Sequence, residues 1–176
     1  ISLQDYAPAP KKHYVMFSGK IDVRKGVNIL LRCAQNLPHI PFVIVGWGTS
    51  LIAQDLPKNI TFIQFEERSQ MAQLMAEAKI FVFPTRTETF GLAVAEAMAS
   101  GCAIVSSSEL PFAGKKIAIG DTDAFSDAIN NLWNDTVQCE KLAKENVNLA
   151  QQYTWAKHMQ KTVAIYEELG LVEITT

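Results

Sequence analysis

The fold of this chain is decided by residues 80–101, which read IFVFPTRTETFGLAVAEAMASG. Four consecutive apolar residues, Ile80 to Phe83, predict a short strand that is buried on both faces. After a polar turn, the segment from Leu92 to Gly101 is apolar on nearly all sides, so it is expected to be a buried helix. A buried strand that leads through a turn into a buried helix is typical of a parallel sheet covered by helices.

The same alternation continues in both directions along the chain. Apolar runs predict further strands, and apolar residues at i, i+3, i+4 and i+7 predict helices between them. The strands are expected at 14–17, 42–45, 60–65, 102–105 and 116–119, and the helices at 27–34 and 71–78, with Ser69 as the N-cap of the second. From Asp121 to Gly170 the pattern is helical, with breaks near Asp135 and Thr154. The prediction is an α/β protein with a doubly wound parallel sheet, right-handed crossovers and a helical C-terminal tail.

Composition and charge exclude several classes of protein. The 176 residues suit one domain, and an apolar fraction of 48% excludes a disordered chain. A net charge of −2 argues against a nucleic-acid-binding protein, and the apolar runs are too short to span a membrane. Three widely spaced cysteines predict reduced thiols rather than disulfides or a zinc site.

The two ends of the chain are expected to lie outside the domain. Residues 1–12 end in APAPKK and predict a linker, residues 13–170 the domain, and residues 171–176 a tail. The first residues are polar and acidic where a signal peptide would be basic, so we expect a cytoplasmic protein. The chain does not begin with Met, which is typical of a fragment of a longer protein.

The turn after the strand at 80–83 concentrates groups that bind polar ligands. Gly91 permits close approach of the backbone, and the N–H groups of Phe90, Gly91 and Leu92 lie at a helix start, where the helix dipole favours an anion. Glu88 lies beside this anion site. Because a phosphate would repel a carboxylate, Glu88 is expected to face an uncharged polyol.

Glu96 is the only charged residue between Thr89 and Ser108. A carboxylate on a buried helix is costly unless it is hydrogen-bonded. Its partners are either the hydroxyls of a sugar or groups of the protein itself, and the sequence leaves both open.

Residues 84–101 resemble the donor-site signature of the retaining family 4 glycosyltransferases. The matching pattern is Pro-Thr-x-x-Glu-Thr-Phe-Gly-Leu-x-x-x-Glu-Ala-Met-Ala-x-Gly, with two glutamates separated by seven residues. Similarity extends to residues 17–20 and 24–27, which resemble the first strand and glycine-rich loop of that family, and it covers residues 14–169. The resemblance implies the Rossmann-like, donor-binding C-terminal half of a GT-B fold, with the N-terminal acceptor domain absent from this chain.

The resemblance also implies roles for individual residues. The candidate catalytic residues are Glu88, Lys25 and Lys20, and the candidate donor-binding residues are Phe90, Gly91, Leu92, Glu96, Gly19 and Gln64. Glu88 would bind the hydroxyls of the donor sugar and Glu96 those of the ribose. Lys25, Lys20 and the helix start would neutralise the diphosphate. Residues 63–65 would lie near the nucleobase.

The implied reaction transfers a hexose from a nucleotide-diphosphate sugar to a glycan or lipid-linked acceptor, with retention of configuration and without a metal or cofactor. The site would stabilise the departing nucleoside diphosphate electrostatically. Nucleic acid is not expected as a partner, and any membrane contact would be made by the absent half. Two alternatives stay open, which are a non-catalytic nucleotide-sugar-binding module of the same fold and a nucleotide-sugar epimerase.

The sequence departs from the family pattern at two places. Lys20 stands where the family usually carries Arg, and a lysine lacks the bidentate fork of a guanidinium. The loop at 106–114 is shorter than usual and lacks a glycine pair. A further motif, Asp121-Thr122-Asp123, resembles the Asp-x-Asp of metal-dependent sugar transferases, but at a helix start we interpret it as a cap.

Overall fold

The computed structural model describes residues 1–48, 56–64 and 67–170. The strands are β1 (Lys12–Lys20), β2 (Phe42–Trp47), β3 (Ile60–Gln64), β4 (Ala78–Phe83), β5 (Ala103–Ser106) and β6 (Gly114–Lys116). The α-helices are α1 (Val27–Asn36), α2 (Arg68–Glu77), α3 (Leu92–Ala99), α4 (Thr122–Asn134), α5 (Thr136–Ala150) and α6 (Trp155–Glu168). Two 3₁₀-helices span Val23–Lys25 and Gln151–Tyr153.

The six strands form one parallel sheet in the order β3-β2-β1-β4-β5-β6. The order reverses between β1 and β4, which are neighbours in the sheet but not in the sequence. In doubly wound sheets ligands bind at the carboxyl ends of the strands beside such a reversal. The predicted fold class is therefore confirmed, and the sheet brings the ends of β1 and β4 together.

The core follows the apolar pattern of the sequence. Every residue of β4 and β5 is buried, as are the apolar residues that α1, α3 and α4 direct at the sheet. The three cysteines are free, as predicted, and all three are buried. Continuous burial of β4 is what a central parallel strand with helices on both faces requires.

Three local predictions are wrong. Ser69 is not the N-cap of α2, because the helix begins at Arg68, and the Ser69 hydroxyl donates to Glu67. Ala78 belongs to β4 rather than to the preceding helix. The sixth strand lies at 114–116 instead of 116–119, since Gly114 approaches β5 so closely that a Cβ there would lie 2.0 Å from the Ile104 carbonyl oxygen. Phe65, the last residue of the predicted strand at 60–65, lies outside the described residues.

The C-terminal helices agree with the predicted breaks. Asp121 accepts a hydrogen bond from the Ala124 amide, and Asp135 caps α5 in the same way through Gln138. The Asp-x-Asp motif therefore begins with a helix cap. Thr154 is the N-cap of α6.

Residues 1–11 contain neither helix nor strand, but their apolar side chains join the core. Ile1 and Tyr6 are buried, and the Ile1 carbonyl accepts from the Trp155 amide. Lys11 donates to the carbonyls of Ala76 and Ser100. The segment is thus packed along the domain, while its role as an interdomain linker stays a prediction.

Candidate functional site

The carboxyl ends of β1, β2 and β3 form one row of the candidate site. Gly19 pairs with Gly46, and Gly46 pairs with Gln64. A Cβ on Gly46 would lie 2.0 Å from the Gly19 carbonyl oxygen, so β1 and β2 approach here without an intervening side chain. Gly19 and Gln64, two residues of the predicted donor site, therefore lie at the same end of the sheet, with β2 between their strands.

A tight turn after β1 positions Lys25. The Asp22 carboxylate accepts from the Lys25 amide at 3.0 Å, which caps the short 3₁₀-helix. Gly26 follows with a φ of 74°, and a Cβ there would lie 1.9 Å from the Pro84 carbonyl oxygen. Only glycine fits this backbone. The turn is consequently pressed against the end of β4, where the predicted ligand-binding segment begins.

Lys25 and Glu88 form an ion pair across this contact. The Lys25 Nζ lies 2.8 Å from Glu88 Oε2, and the two side chains are 27% and 18% exposed. The ammonium also lies 5.8 Å from the centre of the Phe83 ring. Glu88 Oε1 accepts from the Thr89 amide at 3.0 Å. The structure therefore brings together two of the three predicted catalytic residues.

Lys20, the third predicted catalytic residue, lies at the end of β1 at the same edge. Its Nζ is 3.9 Å from Asp22 Oδ2, and its side chain is about half exposed. Asp22 also pairs with Arg24 at 3.0 Å. The short segment 20–25 therefore carries three cationic side chains, of which Lys20 and Arg24 lie beside Asp22 and Lys25 pairs with Glu88.

The start of α3 supplies backbone donors. Gly91 is the N-cap, with a φ of 90° and no hydrogen bond from a capping side chain. Its carbonyl accepts from the Val94 and Ala95 amides, so the N–H groups before them have no acceptor within the helix. Phe90 and Leu92 on either side are exposed. This is the arrangement at which helix dipole and free amides bind anions.

A pocket of about 490 Å³ opens beside Glu88, between residues 85–90 and 107–111. Serine hydroxyls hold its two walls together, since Ser107 donates to the Thr85 carbonyl at 2.6 Å and Ser106 to that of Phe83 at 2.9 Å. The shortened loop is therefore well anchored without the glycine pair of the family pattern.

Glu96 lies farther along α3, near other groups of the protein. Its side chain is half-buried, and Tyr6, the Arg68 guanidinium and the amino group of Ile1 lie near enough to influence it. Burial raises the pKa of Glu96 above its usual 4.5, and Tyr6 and the charge of Arg68 oppose that rise. Of the two possibilities left open by the sequence, groups of the protein itself lie near the carboxylate, and the partial exposure leaves room for a ligand as well.

Sequence reasoning missed Tyr6 and Arg68. Tyr6 belongs to the segment interpreted as a linker, and the signal that could have found it is an aromatic residue within a polar stretch. Arg68 follows the strand at 60–64 after a short connection, and no local pattern assigns it to Glu96.

The described residues contain neither a metal-binding cluster nor a membrane-spanning helix. Among residues 1–48, 56–64 and 67–170, no group of three or more His, Cys, Asp or Glu side chains is arranged to hold a metal ion. In the same ranges, none of the helices combines the length and the apolar character that crossing a bilayer demands.

Comparison with known proteins identifies the family. Residues 12–135, more than half of the chain, match the family model described as glycosyl transferases group 1. The D-inositol 3-phosphate glycosyltransferase of Mycolicibacterium smegmatis is 28% identical in an alignment 173 positions long, which covers 86% of this chain and 39% of that protein. The chain thus spans about two fifths or less of the length of the curated relatives it matches.

Solved structures share the fold. The C-terminal domain of a glycosyl transferase group 1 family protein (LpcC) from Francisella tularensis superposes with a TM-score of 0.76 at 21% identity, over 86% of this chain and 97% of that one. Anabaena Alr3699/HepE in complex with UDP-glucose gives a TM-score of 0.78 at 20% identity, over 98% of this chain and 56% of that one. By its family match and its fold, the chain belongs to the glycosyl transferases group 1 and corresponds to their C-terminal, GT-B-type domain.

Proposed function

We propose that this chain binds the nucleotide-diphosphate sugar of a retaining glycosyl transfer, and that an N-terminal domain outside this sequence supplies the acceptor. The observation that carries the proposal is the Lys25–Glu88 pair beside the uncapped start of α3. It joins a cation, a carboxylate and free backbone amides at the edge where ligands of such sheets bind. The HepE structure, which contains UDP-glucose, supports this class of donor.

Each part of the site suits one part of the donor. The ammonium groups of Lys25 and Lys20 and the amides at Gly91 and Leu92 stabilise the diphosphate. Glu88, released from Lys25 when the diphosphate takes that ammonium, accepts hydrogen bonds from the hydroxyls of the sugar. In this exchange neither charge is left without a partner, which limits the cost of binding.

The bond between the anomeric carbon and the diphosphate oxygen breaks, and its electron pair leaves with the nucleoside diphosphate. The oxygen of the acceptor hydroxyl bonds to the same carbon, and its proton passes to an oxygen of the departing diphosphate. Positive charge develops on the sugar and negative charge on the leaving group. The cations and amides already lie where that negative charge appears, so they stabilise the transition state without further reorganisation.

The nucleoside and the acceptor bind farther from the Lys25–Glu88 pair. Glu96 accepts from the ribose hydroxyls, and Gln64 at the end of β3 lies on the side of the nucleobase. The acceptor, a glycan or a lipid-linked sugar, is held by the absent N-terminal domain. The exposed apolar face of α6, formed by Trp155, Met159 and Tyr166, supports such a domain, because these residues share one side of a helix that buries none of its own residues.

Calorimetric titration of the chain with UDP, GDP and ADP, without metal, tests the proposal. We expect one of the three to bind with a dissociation constant between micromolar and millimolar, and the preferred one identifies the base. If a folded sample binds none of them, the chain is not a self-sufficient donor-binding domain.

Activity measurements on a protein that contains both this chain and the N-terminal domain distinguish an enzyme from a non-catalytic module of the same fold. In the parent we expect sugar transfer, and in Glu88→Gln we expect loss of transfer with nucleotide binding retained. A parent that binds the donor and never transfers or hydrolyses it would favour the module.

A further inference from the structure

Trp47 is a tryptophan that the fold leaves in solvent at the carboxyl end of the sheet. It ends β2 and is 53% exposed, although an indole has a large apolar surface to gain from burial. Its backbone is fixed there, because the Trp47 carbonyl accepts from the Ile21 amide at 2.8 Å. A flat apolar ring is therefore held at the edge to which the proposed function assigns the donor.

The strand register places Trp47 between two parts of that donor. Lys20, which the proposed function assigns to the diphosphate, is the partner of Trp47 in the pairing of β1 with β2. On its other side β2 pairs with β3, which ends at Gln64 beside Gly46. Because Gln64 is assigned to the side of the nucleobase, the tryptophan lies between the diphosphate cation and the strand end nearest to the base.

The indole also lies on the face of the sheet that α2 and α3 cover. Side chains alternate along a strand, and the Tyr14 hydroxyl on β1 donates to the Leu74 carbonyl of α2 at 2.6 Å. Lys20 is an even number of positions from Tyr14 and so faces the same side, and Trp47 shares that side as the partner of Lys20. The helix α3, which carries Glu96, packs beside α2. The ring, the carboxylate assigned to the ribose and the diphosphate cation therefore lie on one face of the sheet.

We propose that Trp47 stacks on the nucleobase of the bound nucleotide-diphosphate sugar. This inference rests on the proposed function and extends it by naming a residue that holds the base. An indole and a nucleobase are both flat, so stacking removes a face of each from water, and an offset arrangement suits their charge distributions. Since every base offers such a face, Trp47 contributes affinity for the base and leaves the choice among bases to polar groups.

Calorimetry of Trp47→Leu with two ligands, one with and one without a base, tests this contact. The first ligand is the nucleoside diphosphate that the parent prefers among UDP, GDP and ADP, and the second is ribose 5-diphosphate, which lacks the base. We expect Trp47→Leu to weaken binding of the nucleoside diphosphate about fivefold to a hundredfold, the range of one base on an aromatic ring, and to leave ribose 5-diphosphate unchanged. Trp47→Phe keeps a smaller aromatic ring and should fall between Trp47→Leu and the parent.

Indole fluorescence gives a second readout. A base stacked on an indole quenches its emission, so the preferred nucleoside diphosphate should quench the parent, and Trp47→Phe should abolish this quenching. Trp133→Phe is the matched control and should keep it, because Trp133 lies at the opposite end of the sheet. Its ring centre is 5.2 Å from the Nζ of Lys79, near the beginning of β4.

Equal affinity of the parent and Trp47→Leu for the nucleoside diphosphate would overturn the inference. An equal loss for ribose 5-diphosphate would also overturn it, since the ring would then act on another part of the donor, and so would quenching that survives in Trp47→Phe. Thermal unfolding of each variant checks that the compared samples are folded. A parent that binds none of the three nucleoside diphosphates would instead remove the proposed function, and this role of Trp47 would go with it.

Discussion

Glu96 shows how one residue can be unfavourable for folding and useful for binding. Because burial raises its pKa above 4.5, the folded chain holds this proton more tightly than the unfolded chain does. The stability that this gives is present at low pH and is lost as the pH rises from 4.5 through the pKa of the folded state. At neutral pH the ionised carboxylate therefore costs stability.

Replacing Glu96 with Gln should raise the unfolding midpoint at pH 7, and the difference from the parent should shrink to nothing below about pH 4.5. Thermal unfolding followed by circular dichroism across this range checks it. Glu77→Gln is a control of opposite sign, since the hydrogen bond from Lys12 lowers the pKa of Glu77. Destabilisation by Glu96→Gln at pH 7 would mean that the nearby Tyr6 and Arg68 stabilise the ionised carboxylate by more than its burial costs.

Lys25 has a measurable role of its own. Lys25→Ala should weaken binding of a nucleoside diphosphate by about 1–3 kcal/mol, the scale of a charge-assisted hydrogen bond. Lys12→Ala serves as the control, because Lys12 also forms an ion pair, with Glu77, but at the beginning of β1. Equal affinity of the Lys25 variant and the parent in calorimetry would exclude Lys25 from the site.

For individual residues, the sequence indicated which side chains lie at the candidate site better than it indicated which residues they contact. The motif indicated Glu88 and Glu96, and the resemblance to the family indicated Lys25. The Lys25–Glu88 pair spans 63 positions and depends on Gly26 pressing against Pro84, which no local pattern encodes. Tyr6 was interpreted as part of a linker because residues 1–12 end in APAPKK, and nothing local in that segment indicates that Tyr6 packs against Arg68 of α2.

Among the elements, β1 and β2 depend on a contact between two backbones. Gly46→Ala should destabilise the protein by more than about 2 kcal/mol, because its methyl group would overlap the Gly19 carbonyl oxygen and force the strands apart. Gly120→Ala is the control, with a φ of 89° and open space around it, and should cost about 1 kcal/mol of backbone strain. Urea unfolding of the two variants measures both, and similar losses would show that β1 and β2 adjust freely.

Elements with strong local signals were predicted well, and those set by packing were not. The breaks at Asp135 and Thr154 follow from capping side chains, and β4 from its apolar run. The position of β6 depends instead on where Gly114 fits against β5, and the start of α2 on a residue without a side-chain cap. Apolar periodicity carries no information on either.

At the scale of the whole molecule, α6 stands apart from the core. Because none of its residues is buried, a chain that ends at Tyr153 should keep its cooperative unfolding and a midpoint within a few degrees of the parent. A chain that ends at Asp135 should fail to fold, since it also loses α5, which buries Cys139, Leu142, Asn146 and Ala150. A large loss in the first truncation, measured by thermal unfolding, would show that α6 stabilises this domain directly.

The short edge strand β6 affects how readily the protein aggregates at high concentration. It is only three residues long, and two of the three are lysines. An exposed strand edge invites pairing with the edge of another copy, and shortness and positive charge both oppose it. At high concentration this side of the sheet should therefore resist joining into continuous intermolecular sheets, so fibril growth would have to start elsewhere on the molecule.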